Sequence, residues 1–248
     1  MATFDFKRLN ILDNLELFSS ENENEYFPFH FHDYYCVSLI TNGTEILRNT
    51  DQTFLAPAGT ISVTQANEVH RNSSLSDTGY SYKTLYVNPD VLTYFNQGRK
   101  VQALERVIED PLLFQQLLSV FNGKPVKSIA RLINYVSQPH ESSLIERNFE
   151  LIDEIIESRS MEVIDTAWLA KQFHLSAFHF IRLFRKAKGI TPQAYIAVYR
   201  LSKSKKMLLS DVPVAHIAYE LGFHDPSHFT HRFRQFFGVT PSQYRLAK

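Results

Sequence analysis

HFIRLFRKAKGITPQAY at positions 179–195 and HFTHRFRQFFGVTPSQY at 228–244 stand 49 residues apart. They agree at eight of seventeen positions: His179/His228, Phe180/Phe229, Phe184/Phe233, Arg185/Arg234, Gly189/Gly238, Thr191/Thr240, Pro192/Pro241 and Tyr195/Tyr244. In the first copy Phe180, Leu183, Phe184 and Ala187 recur at helical spacing, and in the second Phe229, Phe233 and Phe236 do so. Each copy therefore reads as an amphipathic helix with one apolar stripe. Each stripe stops at a glycine suited to the left-handed position that ends a helix, and Thr-Pro then caps and opens another helix.

A shorter helix precedes each copy. DTAWLAKQF (165–173) has an aspartate cap, buries Leu169, Ala170 and Phe173, and leads into a His174-Leu175-Ser176 turn. PVAHIAYELGF (213–223) buries Ile217, Ala218 and Leu221, turns at Gly222, and meets a new cap at Asp225-Pro226. A short helix, a tight turn and a second amphipathic helix make a helix-turn-helix unit, whose second helix enters the DNA major groove. The copies share core phenylalanines, turn glycines and caps. They differ on the opposite face, which carries Phe178, Ile181 and Arg182 in one and Ser227, Thr230 and His231 in the other. Recognition helices at about 177–188 and 226–237 would then read different bases in successive major grooves, about 34 Å apart, with a helix from Pro192 to about Leu209, roughly 25 Å long, between them.

Charge separates along the same line. Residues 1–159 hold 13 Lys+Arg against 21 Asp+Glu, a balance of −8, and residues 160–248 hold 13 against 5, a balance of +8. Six of the ten histidines also fall in the basic segment. The basic end suits a polyanion. A lone cysteine, Cys36, excludes an intrachain disulfide and fits a reducing compartment. No apolar run reaches the roughly 18 residues of a membrane span, and the N-terminus lacks a signal-peptide core, so the expected location is cytoplasmic.

From about Glu25 to Val87 the signals are of strand: YYCVSLI, TEILRNT, QTFLAPAGTISVT and YSYKTLYV, broken by Asn42-Gly43, Pro57, Gly59 and Gly79. Helical patterns follow, a short one from Asn88-Pro89, then PLLFQQLLSVF (111–121). A third, over 142–158, sets Leu144, Ile145, Phe149, Ile152, Ile155 and Ile156 on one face. The expected fold class is α+β. Residues 1–100 form a β-barrel, 101–159 a helical linker or dimerisation region, and 160–248 an all-α DNA-binding domain.

IAYELGFHDPSHFTHRFRQFFGVTPSQYR, from Ile217 to Arg245, resembles the signature of AraC/XylS-family bacterial transcription regulators, with Arg234 at the usual lysine. His231 stands where that family usually has arginine, with Arg232 one position on, and Ile181 replaces a commonly polar residue. The resemblance puts Phe178, Ile181 and Arg182 in one groove and Pro226, Ser227 and His231 in the other. Arg182 suits bidentate pairing with guanine. Arg185, Lys186 and Arg234 suit phosphates, which set affinity and salt dependence without specifying sequence.

HFHDYYCVSLITNG (30–43) and GTISVTQANEVHRNSS (59–74) resemble the two cupin motifs, with His30, His32 and His70 at the histidine positions. Cys36 stands for the family's glutamate, and Gln65, Asn67 and Ser74 for its proline, glycine and asparagine. Three imidazoles and a thiolate could bind zinc or iron, but a lone cysteine on an alternating apolar strand also reads as packing, and no metal or other cofactor is expected. The resemblance implies a small-molecule effector in the barrel, with His30, His32, Tyr34, Tyr35 and His70 as pocket residues. It also implies double-stranded DNA as partner, with RNA polymerase and a second copy of the chain as further partners. The Leu/Ile face of 142–156 or the 111–121 helix would join two copies.

The expected function is a ligand-responsive, sequence-specific regulator, of activator type, that catalyses no reaction. A cupin metalloenzyme with a DNA-binding appendage and a non-specific architectural DNA binder are the competing readings.

Overall fold

A computed structural model describes residues 3–12, 14–24, 27–124, 126–137, 149, 151–159 and 162–247. The chain divides into two compact units, residues 1–140 with 247–248, and residues 141–246.

Among the described residues, the first unit is built on nine strands: β1 (Thr3–Leu9), β2 (Leu15–Glu23), β3 (Tyr35–Asn42), β4 (Thr44–Asn49), β5 (Thr53–Pro57), β6 (Ile61–Thr64), β7 (His70–Ser74), β8 (Tyr80–Val87) and β9 (Val107–Ile108). They form a six-stranded sheet in the order β1-β2-β8-β3-β6-β9 and a three-stranded sheet in the order β5-β4-β7. This is the β-rich, cupin-like half of an α+β chain. The turn from β3 to β4 depends on Gly43. Its φ of +72° is left-handed, and a Cβ there would lie 2.8 Å from the Gly79 carbonyl oxygen.

β3 shows how this half is made. Side chains alternate between the faces of a strand. Tyr35, Val37 and Leu39 join a core with Leu85, Val87, Ile61 and Val63. That core continues into α1 (Pro89–Phe95) and α2 (Pro111–Leu118) through Leu92, Leu113 and Leu117. Burying each such aliphatic side chain contributes about 1.5–3 kcal/mol. Cys36, Ser38 and Ile40 point the other way. Ser38 Oγ lies 2.7 Å from Thr84 Oγ1, and Ile40 packs with Ala56 and Tyr80.

Asn88 and Asp110 cap α1 and α2, each followed by proline at the helix start. Single 3-10 segments follow over Ser119–Asn122 and Val126–Tyr135. Val101, Leu104, Ile108, Val120, Ile129 and Leu132 all lie in the β-sheet core. The segment 101–159, read from sequence as a linker, is therefore split. Its first part is core of the barrel unit, and Phe149, Ile152 and Ile156 are buried in the other unit. The apolar faces expected to join two copies are thus largely occupied within the chain, and Leu144 and Ile145 lie outside the described residues. β1 and β2 extend the sheet ahead of the first strand expected.

The second unit holds α3 (Ile152–Glu157), α4 (Thr166–Gln172), α5 (Ala177–Lys188), α6 (Pro192–Met207), α7 (Val214–Glu220), α8 (Pro226–Phe237) and α9 (Pro241–Leu246). α4-turn-α5 and α7-turn-α8 are the two helix-turn-helix units. Among the described residues, no helix is long and apolar enough to cross a membrane.

Candidate nucleic-acid interface and barrel site

Two short sequences build α5 and α8 in the same way. Ser176 Oγ accepts a hydrogen bond from the His179 N–H at 3.3 Å, and Asp225 Oδ1 accepts one from the His228 N–H at 2.7 Å. These bonds satisfy amides that a helix start leaves without an intrahelical partner. At the other end Gly189 and Gly238 are left-handed, with φ of 75° and 73°, and donate to the Arg185 and Arg234 carbonyls. The apolar stripes are buried: Phe180, Phe184, Phe229 and Phe233 have no measurable exposure.

Burying those stripes turns the opposite faces outward. On α5, Phe178 is 81% exposed and Ile181 37%, and Arg182, Arg185 and Lys186 are exposed beside them. On α8, Ser227, His231, Arg232 and Arg234 are exposed, while Pro226 is half-buried at the helix start. An 81% exposed phenylalanine on a helix whose other phenylalanines are fully buried is not core packing. Arg232 Nη1 donates to Gln235 Oε1 at 3.2 Å, along its own helix.

Not every cation of the basic segment serves this surface. Arg200 donates to the Arg159 and Glu162 carbonyls, Arg245 donates to the Leu208 and Val212 carbonyls, and buried Lys205 lies over the Phe237 and Tyr244 rings. These three hold the unit together. Counting charge along the sequence does not separate them from the exposed arginines.

The second candidate site lies on the inward face of the barrel. His30, His32 and His70 are buried, and their ligand atoms lie within 4.8 Å of one another. The rings of His30 and His70 are 4.4 Å apart and those of His32 and His70 4.8 Å apart. Cys36 Sγ is 3.0 Å from His32 Nε2. Burial holds the His30 imidazole down at a pKa of about 4 and His70 well below the usual histidine range, so both are neutral at pH 7.

Tyr35 is not part of this cluster. It follows the strand alternation to the opposite face, where its hydroxyl donates to the Val101 carbonyl at 2.8 Å within the core. Tyr34 is half-buried, and its carbonyl accepts from His32 Nδ1 at 2.8 Å.

Glu45, Asn72, Tyr80 and Tyr82 were not anticipated as site residues. Glu45 is 1% exposed, accepts from Asn72 Nδ2 at 2.8 Å and leaves Oε2 without a hydrogen-bond partner. Burial pushes its carboxyl pKa up and raises those of Tyr80 and Tyr82 well above the usual phenol value. A glutamate at an inward position of TEILRN, a strand pattern, was the available signal.

A family model described as a helix-turn-helix domain matches residues 169–247, and one described as an AraC-like ligand binding domain matches residues 14–133. The HTH-type transcriptional regulator YbfI of Bacillus subtilis strain 168 is 26% identical over 239 residues, covering 87% of this chain and 86% of its own length. The HTH-type transcriptional activator RhaS of Escherichia fergusonii is 24% identical over 247 residues, covering 90% and 88%. Among solved structures, ToxT of Vibrio cholerae O395 superposes with a TM-score of 0.56 at 15% identity, over 98% of this chain and 96% of its own. Wild-type ToxT of V. cholerae strain SCE256 with bound unsaturated fatty acid gives 0.57 at 15%, over 100% and 97%.

Proposed function

Because the chain belongs to the AraC family of ligand-responsive helix-turn-helix transcription regulators, we propose that α5 and α8 read an asymmetric operator half-site in successive major grooves. One observation carries this reading. Two units with equivalent buried phenylalanine stripes, side-chain N-caps and left-handed C-cap glycines present unlike exposed faces, Phe178, Ile181 and Arg182 against Ser227, His231 and Arg232. A bundle built only for its core has no use for an 81% exposed phenylalanine beside an exposed isoleucine on the outer face.

Within this reading Arg182 contacts a base edge, Phe178 and Ile181 supply apolar contact beside it, and Pro226, Ser227 and His231 face the second groove. Arg185, Lys186, Arg232 and Arg234 neutralise phosphates. The barrel, residues 1–100 with the sheet and helices that complete its core, holds a small effector that changes how tightly operator is bound. The buried Glu45 carboxyl with its unpartnered oxygen favours an effector that carries a hydroxyl or amine donor. In this reading the effector site takes in Glu45, Tyr80 and Tyr82 together with His30, His32, Tyr34 and His70. No catalysed reaction enters this reading. RNA polymerase and a second copy of the chain remain partners to be tested on the operator complex.

Affinity measured at one fixed salt concentration, for the DNA upstream of the chain's own gene and for the same DNA scrambled, tests the proposal. A sequence-specific regulator binds the first at least 10³-fold more tightly, within the range of about 10³–10⁷ for specific over non-specific sites. Equal affinity for both would leave only an architectural DNA binder.

A further inference from the structure

We propose that the first recognition helix requires thymine: Phe178 and Ile181 pack on C5-methyl groups in one half of the bound site, and the second helix makes no such demand on the other half. The requirement rests on the regulatory reading above and names the base chemistry that the first groove must present.

Phe178 is 81% exposed and Ile181 37%, on a helix that buries Phe180, Phe184 and Ala187. The two lie on one face at i and i+3, with Arg182 beside them at i+4. Cations surround this apolar spot. Arg182, Arg185 and Lys186 are exposed on the same helix, and Lys188 stands in its last turn. An apolar patch rimmed by positive charge fits a partner that is anionic at its margins and apolar at its centre. In the major groove only thymine supplies that combination. Phosphates line both edges, and among the groups that base pairs present there the thymine C5-methyl is the apolar one, the others being hydrogen-bond donors or acceptors. The side chains of Phe178 and Ile181 carry neither donor nor acceptor. Pressed on a polar base edge, they would strip it of water and leave it unpaired.

Placement on the helix agrees with this chemistry. Phe178 is the second residue of α5, just inside the Ser176 cap, and the N-terminal residues of a recognition helix are those that reach base edges. At about 1.5 Å per residue, Ile181 lies about 4.5 Å and Arg182 about 6 Å further along the axis, against a base-pair step of about 3.4 Å. The thymine under Phe178 therefore stands within about two base pairs of the guanine assigned to Arg182. The residues 49 positions on supply the contrast: Ser227, Thr230 and His231 take the places of Phe178, Ile181 and Arg182. Ser227 and His231 are exposed and Thr230 is half-buried. Hydroxyls and an imidazole exchange hydrogen bonds with base edges, so α8 reads polar groups.

The test begins with a random-sequence duplex library, from which the full chain selects its own sites at fixed salt. Each thymine of the selected duplex is then replaced by deoxyuridine, which removes the methyl group and nothing else. One or two replacements, confined to one half of the site, should weaken binding about 4-fold each, the loss that goes with exposing one buried carbon. Cytosine at the same position should bind more weakly, and 5-methylcytosine should regain about 4-fold of that loss. Phe178→Ala should bind the thymine and uracil duplexes alike at its position, and Ser227→Ala should discriminate as the parent does. A selected consensus at which uracil is neutral everywhere, or costs the same in both halves, overturns the thymine requirement and leaves the regulator standing. So does discrimination that survives in both Phe178→Ala and Ile181→Ala, or a Phe178→Ala chain that binds every duplex as the parent does, which would assign the patch to a protein partner. A library that yields no consensus removes the regulatory reading itself, and the thymine requirement with it.

Discussion

The two helix-turn-helix units are nearly the same object inside and different objects outside. In the first, rings follow one another from Phe173 to Phe180 to Phe184 to Tyr195 at 5.4, 5.5 and 5.4 Å. In the second, Phe223, Phe229, Phe233 and Tyr244 repeat the chain at 5.2, 5.7 and 5.6 Å. The volume beside each chain is filled differently. Phe149, from ahead of α3, lies 5.1 Å from Phe184, whereas Phe237, from the end of α8 itself, lies 4.6 Å from Phe233. The turns differ as well: each needs a left-handed residue, supplied by Gly222 at φ 71° in the second and by His174 at φ 55° in the first. Equivalent interiors with unlike surfaces separate what folds the unit from what reads DNA.

The largest effects should come from breaking the shared interior. Phe184→Ala and Phe233→Ala each remove a fully buried ring, and each should cost about 3–5 kcal/mol. Thermal unfolding followed by circular dichroism would show both transitions displaced alike, with DNA binding lost. A much milder Phe184 variant would mean that Phe149 repacks into the gap and that the two cores are not equivalent. Next comes the exposed face. Arg182→Ala should relax preference at a single base pair, removing about 1–3 kcal/mol of discrimination, as read by competition among operators altered one position at a time. A uniform loss across all operators would move Arg182 to the phosphate backbone.

Arg234→Ala sharpens the same contrast from the other side. It should weaken every duplex similarly, by on the order of 1 kcal/mol, and reduce the slope of log affinity against log salt by about one. A changed base preference would contradict its assignment. The smallest effect concerns the turns. His174→Gly relieves the left-handed cost of a residue with a Cβ, so its net change in urea stability should stay under about 1 kcal/mol. Gly222→Ala should be the more damaging of the pair, because it introduces the cost that His174→Gly removes.

Most of the DNA-binding half was legible in the residues, because each signal there is local. Caps at Asp165, Thr191 and Asp225, glycines at 189 and 238, and the phenylalanine stripes all act within a turn or two of themselves, and Ser176, read only as part of a turn, proves to be a cap as well. Internal use of Arg200, Lys205 and Arg245 was not legible, since their carbonyl and ring partners come from other segments. In the barrel unit, TFDFKRL and LELFSSENE pair as β1 and β2 around a turn with left-handed Leu12 and Asn14 instead of glycine, so the usual punctuation is missing. The 3-10 segment Val126–Tyr135 carries Val126, Ile129, Leu132 and Ile133 at helical spacing, a signal that was available but unused, and Ile129 and Leu132 are core. Tyr35 and Tyr34 looked equivalent until strand parity sent Tyr35 to the helical side. The resemblance to the cupin motifs implied that Cys36 meets three histidines, but it did not show that each ring's Nδ1 faces a backbone carbonyl, because those carbonyls are placed only by the folded loops.

That parity along β3 has a mechanical consequence. One stretch of backbone carries Cys36, Ser38 and Ile40 toward the barrel and Tyr35, Val37 and Leu39 toward the layer of α1 and α2. The wall facing the barrel interior and the floor on which those helices rest are therefore one backbone, with alternate residues assigned to each. The strand thus lines the barrel with one set of side chains and supports the two helices with the other.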